Sequence, residues 1–103
     1  MTHFTLSKKM NELEVKLIGD LDIDSTELIE EELLPALMQH QTIIINFEEV
    51  PFIDSSGIGL LLSTIQTLNE QQIALTISKV RTEVMDIFEI LQIPEIVGKD
   101  IFV

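Results

Sequence analysis

The chain has 103 residues, enough for one compact domain and too few for two. Its 18 acidic side chains against 6 basic ones give a formal net charge of −12; phosphate backbones and anionic bilayer surfaces repel such a chain, so neither nucleic-acid binding nor membrane attachment is expected. The absence of cysteine removes disulfides, thiol catalysis and thiolate-bound metals together.

Apolar runs such as Ile43 to Ile45 fall far short of the roughly 20 residues that a bilayer span needs. Met1 to Lys9 lacks the apolar stretch of a secretory leader, and a cytoplasmic location is expected. Hydrophobic residues make up 46% of the chain, sufficient for a core without covalent staples.

Phe4 to Ser7 and Glu12 to Ile18 are predicted strands; in the second, Leu13, Val15 and Leu17 alternate with Glu12, Glu14 and Lys16. The polar link Lys8 to Asn11 is short enough for an antiparallel hairpin. Gly19 to Asp24 leads into a helix, with Asp24 and Glu27 in capping-box spacing and Glu30, Glu31 and Glu32 on its wet face. That helix is predicted to reach about Met38, with Pro35 bending it or ending it early. Thr42 to Phe47 reads as a central strand buried on both faces. A helix to about Asn69 follows, with Ile58, Leu61, Leu62, Ile65 and Leu68 inward, then a strand over Ile73 to Ser78. The third helix, Arg81 to Leu91, turns Val84, Ile87, Phe88 and Leu91 inward; Pro94 closes that region, and Ile101 to Val103 reads as a last short strand. The alternation implies an α/β domain over residues 1–103: a mixed, mostly parallel β-sheet with helices packed on it, opened by a β-hairpin.

The informative stretch is Phe52-Ile53-Asp54-Ser55-Ser56-Gly57-Ile58-Gly59, between a strand and a helix. In α/β folds that position, beyond the C-terminal ends of parallel strands, carries functional loops. Asp and Ser are ordinary N-cap residues, and capping alone accounts for them. The sharper reading is a phosphorylatable serine: a helix N-terminus tolerates the added charge, so the fold survives while a complementary surface is spoiled. Gly57 and Gly59 are expected to keep the turn open to close approach.

Residues 52–61 resemble the signature of bacterial anti-sigma factor antagonists of the STAS type, an apolar pair followed by Asp-Ser-Ser, a Gly-x-Gly and an apolar run. Gly19-Asp20-Leu21-Asp22 and Ile43-Ile44-Ile45-Asn46-Phe47 are similar to the stretches that precede it in the family. The resemblance implies a single STAS domain that binds an anti-sigma factor serine kinase when unphosphorylated, frees a sigma factor, is switched off by phosphorylation, and is reset by a metal-dependent serine phosphatase. It implies Ser55 as the acceptor, with Asp22, Asp54, Ser55, Ser56, Gly57 and Ile58 forming the partner-binding site, and no catalysis or cofactor of its own. Gln71-Gln72 stands where members commonly carry a glycine pair, and Ser63 to Glu70 lacks the basic residues often found there. Members also commonly continue into a further helix beyond the point where this sequence ends. The alternative within the family is a non-switched STAS scaffold, or an accessory subunit of a stress-signalling or membrane lipid-transport complex.

Other chemistry finds little footing. His3 and His40 lack ligand spacing, and Asp20, Asp22 and Asp24 lack the glycine and glutamate that complete a calcium loop. A serine hydrolase would need a histidine base and a Gly-x-Ser-x-Gly elbow, and a nucleotide site a glycine-rich phosphate loop; neither motif is present.

Overall fold

The computed structural model describes residues 2–103 and contains a four-stranded sheet in which spatial order follows chain order. β1 (His3–Lys9) and β2 (Glu12–Ile18) form the expected antiparallel hairpin, with Lys9 opposite Glu12. Met10 completes its two-residue turn with a left-handed φ of 52°. β2 runs parallel to β3 (Thr42–Glu49), and β3 parallel to β4 (Ala74–Ser78), each pair joined through helix.

Register sorts the sheet into two unlike faces. Leu13, Ile43 and Leu75 form one row and Val15, Ile45 and Ile77 the next, and all six are buried. Glu14, Ile44 and Thr76 form a row on the opposite face and are half-buried. The run Ile43 to Ile45 predicted burial on both faces; Ile44 departs from that because the helices pack on the side of its neighbours. Leu17 and Ile45 meet Ile29 and Leu33 from the first helical segment and Leu60 and Leu61 from the second. Phe47 meets Phe88 edge-on, ring centroids 6.1 Å apart.

The first helical segment, α1 (residues 23–37), changes its winding along its length. It opens as a 3-10 turn at Ile23–Ser25, passes through Thr26–Leu28, widens to a π turn at Ile29–Leu33, and closes at Leu34–Leu37. The wide turn lies immediately before Pro35, with the Leu34 N–H bonded five residues back to the Ile29 carbonyl. A proline ring crowds the carbonyl four residues before it. Here the helix makes room by loosening one turn, and does not stop.

α2 (Ser55–Glu70) ends in a tight return: the Ile73 N–H bonds the Leu68 carbonyl at 2.9 Å, and Gln72 takes φ 60°. A left-handed residue is needed there, which gives a physical reason for the family's glycine preference at a position that glutamine fills in this chain. α3 (Thr82–Ile90) buries Val84 and Phe88, leaves Ile87 half-buried and exposes Leu91 just past its end. Pro94 does not end the helical region; it sits in the first turn of a short helix, α4 (Ile93–Val97), where its missing N–H has no partner to lose. A 3-10 turn (Lys99–Ile101) follows. The expected last strand is reduced to one parallel bridge between Phe102 and Ile77, with the Val103 N–H on the Ile77 carbonyl at 2.9 Å.

Candidate functional site

Beyond the C-terminal ends of β2 and β3, the two connecting loops stay paired. The Gly19 N–H donates to the Glu49 carbonyl at 2.9 Å, the Leu21 N–H to the Phe52 carbonyl at 3.0 Å, and the Asp54 N–H to the Leu21 carbonyl at 3.2 Å. Leu21 and Ile53 form a parallel bridge, and both side chains are buried. Extended backbone alternates its side chains, so Asp20, Asp22, Phe52 and Asp54 turn the other way. Asp22 and Asp54 each follow a bridged residue, which sets them side by side on the two paired loops.

Each of these aspartates starts a helix. The Asp22 carboxylate accepts from the Asp24 N–H at 3.1 Å, and the Asp22 N–H donates to Ser25 Oγ at 3.1 Å, a reciprocal capping box. The box predicted at Asp24 and Glu27 therefore sits two residues earlier, because α1 begins with a 3-10 turn at Ile23 whose free N–H groups come first. Ser25 is buried and bonded to the Thr2 hydroxyl, which also donates to the Asp20 carbonyl at 2.6 Å. Asp54 caps α2 by accepting from the Gly57 N–H at 2.8 Å.

Ser55 and Ser56 are the first two residues of α2, and both are exposed. Asp22 and Asp54 are half-buried, whereas Gly57 and Ile58 are buried. Of the six residues expected to form the partner surface, the first four face outward and the last two lie beneath them. Gly57 is held to glycine by contact: a Cβ there would meet the Leu21 carbonyl oxygen at 2.1 Å and its carbon at 2.7 Å. Gly59 has open space around it, so the close approach expected of both glycines belongs to Gly57 alone.

Two outward apolar residues stand outside the six expected for the surface, with Phe52 read only as part of the motif. Ile23 is 67% exposed and Phe52 is 50% exposed, one on each of the two paired loops. Alternation about Leu21 and Ile53 was the available signal for Phe52. For Ile23 there was none, because apolar residues at a helix start usually point inward. His40 precedes β3, at the end of the sheet opposite Ser55. Among the described residues no group of three or more His, Asp or Glu is placed to hold a metal, and no helix is long and apolar enough to cross a membrane.

The STAS domain family profile matches residues 4–102. The chain belongs to the STAS domain family. Within the family, it is 38% identical over 79 residues to the anti-sigma-B factor antagonist of Staphylococcus aureus (strain NCTC 8325), covering 75% of this chain and 72% of that protein. This likeness puts the domain among the anti-sigma factor antagonists. Its fold is similar to the Bacillus anti-sigma factor antagonist SpoIIAA in its unphosphorylated form, with TM-score 0.75, 27% identity, and 98% of this chain and 86% of SpoIIAA covered. The phosphorylated form of SpoIIAA matches with TM-score 0.71, 26% identity, and 98% of this chain and 89% of that one covered. The STAS domain of a Vibrio cholerae SulP transporter shares the fold alone, at TM-score 0.70 and 20% identity over 93% of this chain and 75% of that one.

Proposed function

We propose that this STAS domain is an anti-sigma factor antagonist whose binding is switched at Ser55. Unphosphorylated, it docks on an anti-sigma factor serine kinase and frees a sigma factor. The kinase transfers the γ-phosphoryl group of ATP to Ser55 Oγ; ADP leaves, and the hydroxyl proton passes to a base on the kinase. A metal-dependent serine phosphatase hydrolyses the ester and restores the binding form. The chain itself supplies a surface and an acceptor, and both enzymes act in trans in the cytoplasm.

The observation that carries this reading is the exposed Ser55 at the first position of a 16-residue helix, beside two half-buried capping aspartates. A phosphoserine brings about 1.5 to 2 negative charges. The helix N-terminus stabilises that charge, so the fold accommodates it. Asp22 and Asp54 already make the local potential negative, and a partner that matched the unmodified surface then meets a much stronger field and a bulkier group.

A second reading, a non-switched STAS scaffold or accessory subunit of a stress-signalling or lipid-transport assembly, draws on the fold likeness to the SulP transporter domain. One experiment separates the two. Incubation with the cognate anti-sigma factor kinase and ATP, followed by mass-spectrometric mapping, should find one phosphate on Ser55 and none in Ser55→Ala. An unlabelled wild-type chain that does not bind the kinase would sink the switch and favour the scaffold.

A further inference from the structure

Large apolar side chains scattered singly over a surface need no explanation. Ile23 and Phe52 are not scattered. They come from two loops locked together by the Leu21–Phe52 and Asp54–Leu21 backbone bonds, and the acceptor helix starts against the same ladder. The 3-10 turn carrying Ile23 packs on α2. Around them lie Asp20, Asp22 and Asp54, half-buried, and Asp24, exposed. From residue 17 to residue 78 the sequence contains no lysine or arginine. Of three cations near the C-terminal ends of the strands, Lys16 and Arg81 are engaged with Glu49 at 3.5 Å and with the Glu48 carbonyl at 2.8 Å, and the exposed Lys79, just past β4, acts on Glu14 on the far face of the sheet.

We infer that Ile23 and Phe52 are the two apolar anchors of the kinase-binding surface, and that the surface they enter is a pair of apolar hollows rimmed by lysine or arginine. The inference rests on the antagonist reading above and adds the residues that hold the partner and the chemistry they require. Anchors already fixed by backbone pairing lose little freedom on docking. Apolar centres ringed by charge are where binding energy concentrates, while the charged rim sets partner choice and encounter rate. The arrangement also explains how phosphate on Ser55 disrupts docking. Ser55 starts the helix on which the Ile23 turn packs and lies three residues after Phe52, so seating the anchors would exclude water from the ground beside it, and a phosphate there would have to be stripped of its hydration.

The test uses the full chain and the cognate anti-sigma factor kinase, with a non-hydrolysable ATP analogue so that Ser55 stays unmodified. Ile23→Ser and Phe52→Ser should each weaken the dissociation constant by about tenfold or more. Their melting temperatures should stay near that of the wild type, because both side chains are largely exposed. Ile96→Ser is the control: Ile96 is 64% exposed but lines a groove with Leu62 and Val97, away from the paired loops. It should bind within about twofold of the wild type. If a serine variant melts early, Ile23→Thr or Phe52→Gln replaces it in the same titration. Wild-type affinity in both anchor variants would overturn the anchors and leave the antagonist reading standing, as would an equal loss in Ile96→Ser. A wild-type chain that fails to bind the kinase would overturn both.

Discussion

The motif over residues 52–61 divides into two halves that answer to different physics. Phe52, Asp54, Ser55 and Ser56 face outward and can change without touching the core, whereas Gly57, Ile58, Leu60 and Leu61 lie beneath them in contact with the β2 loop and the sheet. A motif read as one functional string is thus an exposed surface, the one proposed above for signalling, laid over a packing device. Substitutions in the lower half should register as lost stability, and those in the upper half as altered binding by a folded protein.

The largest expected effect lies below. Gly57→Ala drives a methyl group into the Leu21 carbonyl and should cost about 3 kcal/mol in chemical denaturation. Its neighbour supplies the contrast. Gly59 has open space, so Gly59→Ala should instead stabilise the helix by about 0.5 to 1 kcal/mol. Equal losses at the two glycines would collapse the distinction between supporting and exposed positions.

Next comes the upper half. Ser55→Asp should lower kinase affinity by about a hundredfold, roughly 2.7 kcal/mol, with the melting temperature close to that of the wild type, since an acidic side chain at the first helical position suits the helix dipole. A large drop in melting temperature would put Ser55 with the packing residues. Asp54→Ala tests the boundary itself, because this residue both caps α2 and borders the surface. Losing the bond from the Gly57 N–H should cost about 1 kcal/mol. A binding loss much larger than that would mark Asp54 as a contact in its own right.

The smallest effect belongs to the far face of the sheet. Glu14 accepts from Lys9 at 2.9 Å and from Asn46 Nδ2 at 3.1 Å, and these bonds, Lys9 first, hold its carboxyl below the ordinary carboxylate value. A carboxyl held low in the folded state stabilises the fold above its unfolded value of 4.5, and that contribution is lost as pH falls through the lower folded value. Glu14→Gln should therefore melt slightly earlier than wild type near neutral pH, with the gap closing below pH 4.5. Kinase binding should be unchanged. Altered binding in that variant would extend the partner surface to a face that the two-halves picture leaves out.

Much of this architecture was written in periodicity. The alternation of Leu13, Val15 and Leu17 gave β2 its ends, and the short polar link fixed the hairpin. The helical stripe Ile58, Leu61, Ile65 and Leu68 identified the buried side of α2. The misses share a different origin. Ile44 is β-branched like its neighbours, and nothing in that run records which face the helices cover. The start of α1 was misjudged because Asp22 and Asp24 are equally good caps, and Ser25, buried and bonded to Thr2, decides between them. Pro35 was legible as a disturbance, but the loosened turn that accommodates it depends on Ile29 and Leu33 being anchored in the core. In the site, hydroxyl and carboxylate positions could be read from capping chemistry. The burial of Gly57 and the exposure of Ile23 depend on a second loop, distant in sequence, lying alongside the first.

The ladder between residues 19–21 and 49–54 ties the segment before Ser55 to the loop next to it. On the switch proposed above, a phosphate on Ser55 would add negative charge and bulk to a contour that this ladder holds in place. These paired loops would then have no rearrangement to undo when the phosphate is removed, and hydrolysis of the ester would restore the surface directly. The tempo of such a switch would be set by the two opposing enzymes and by how fast the partners dissociate.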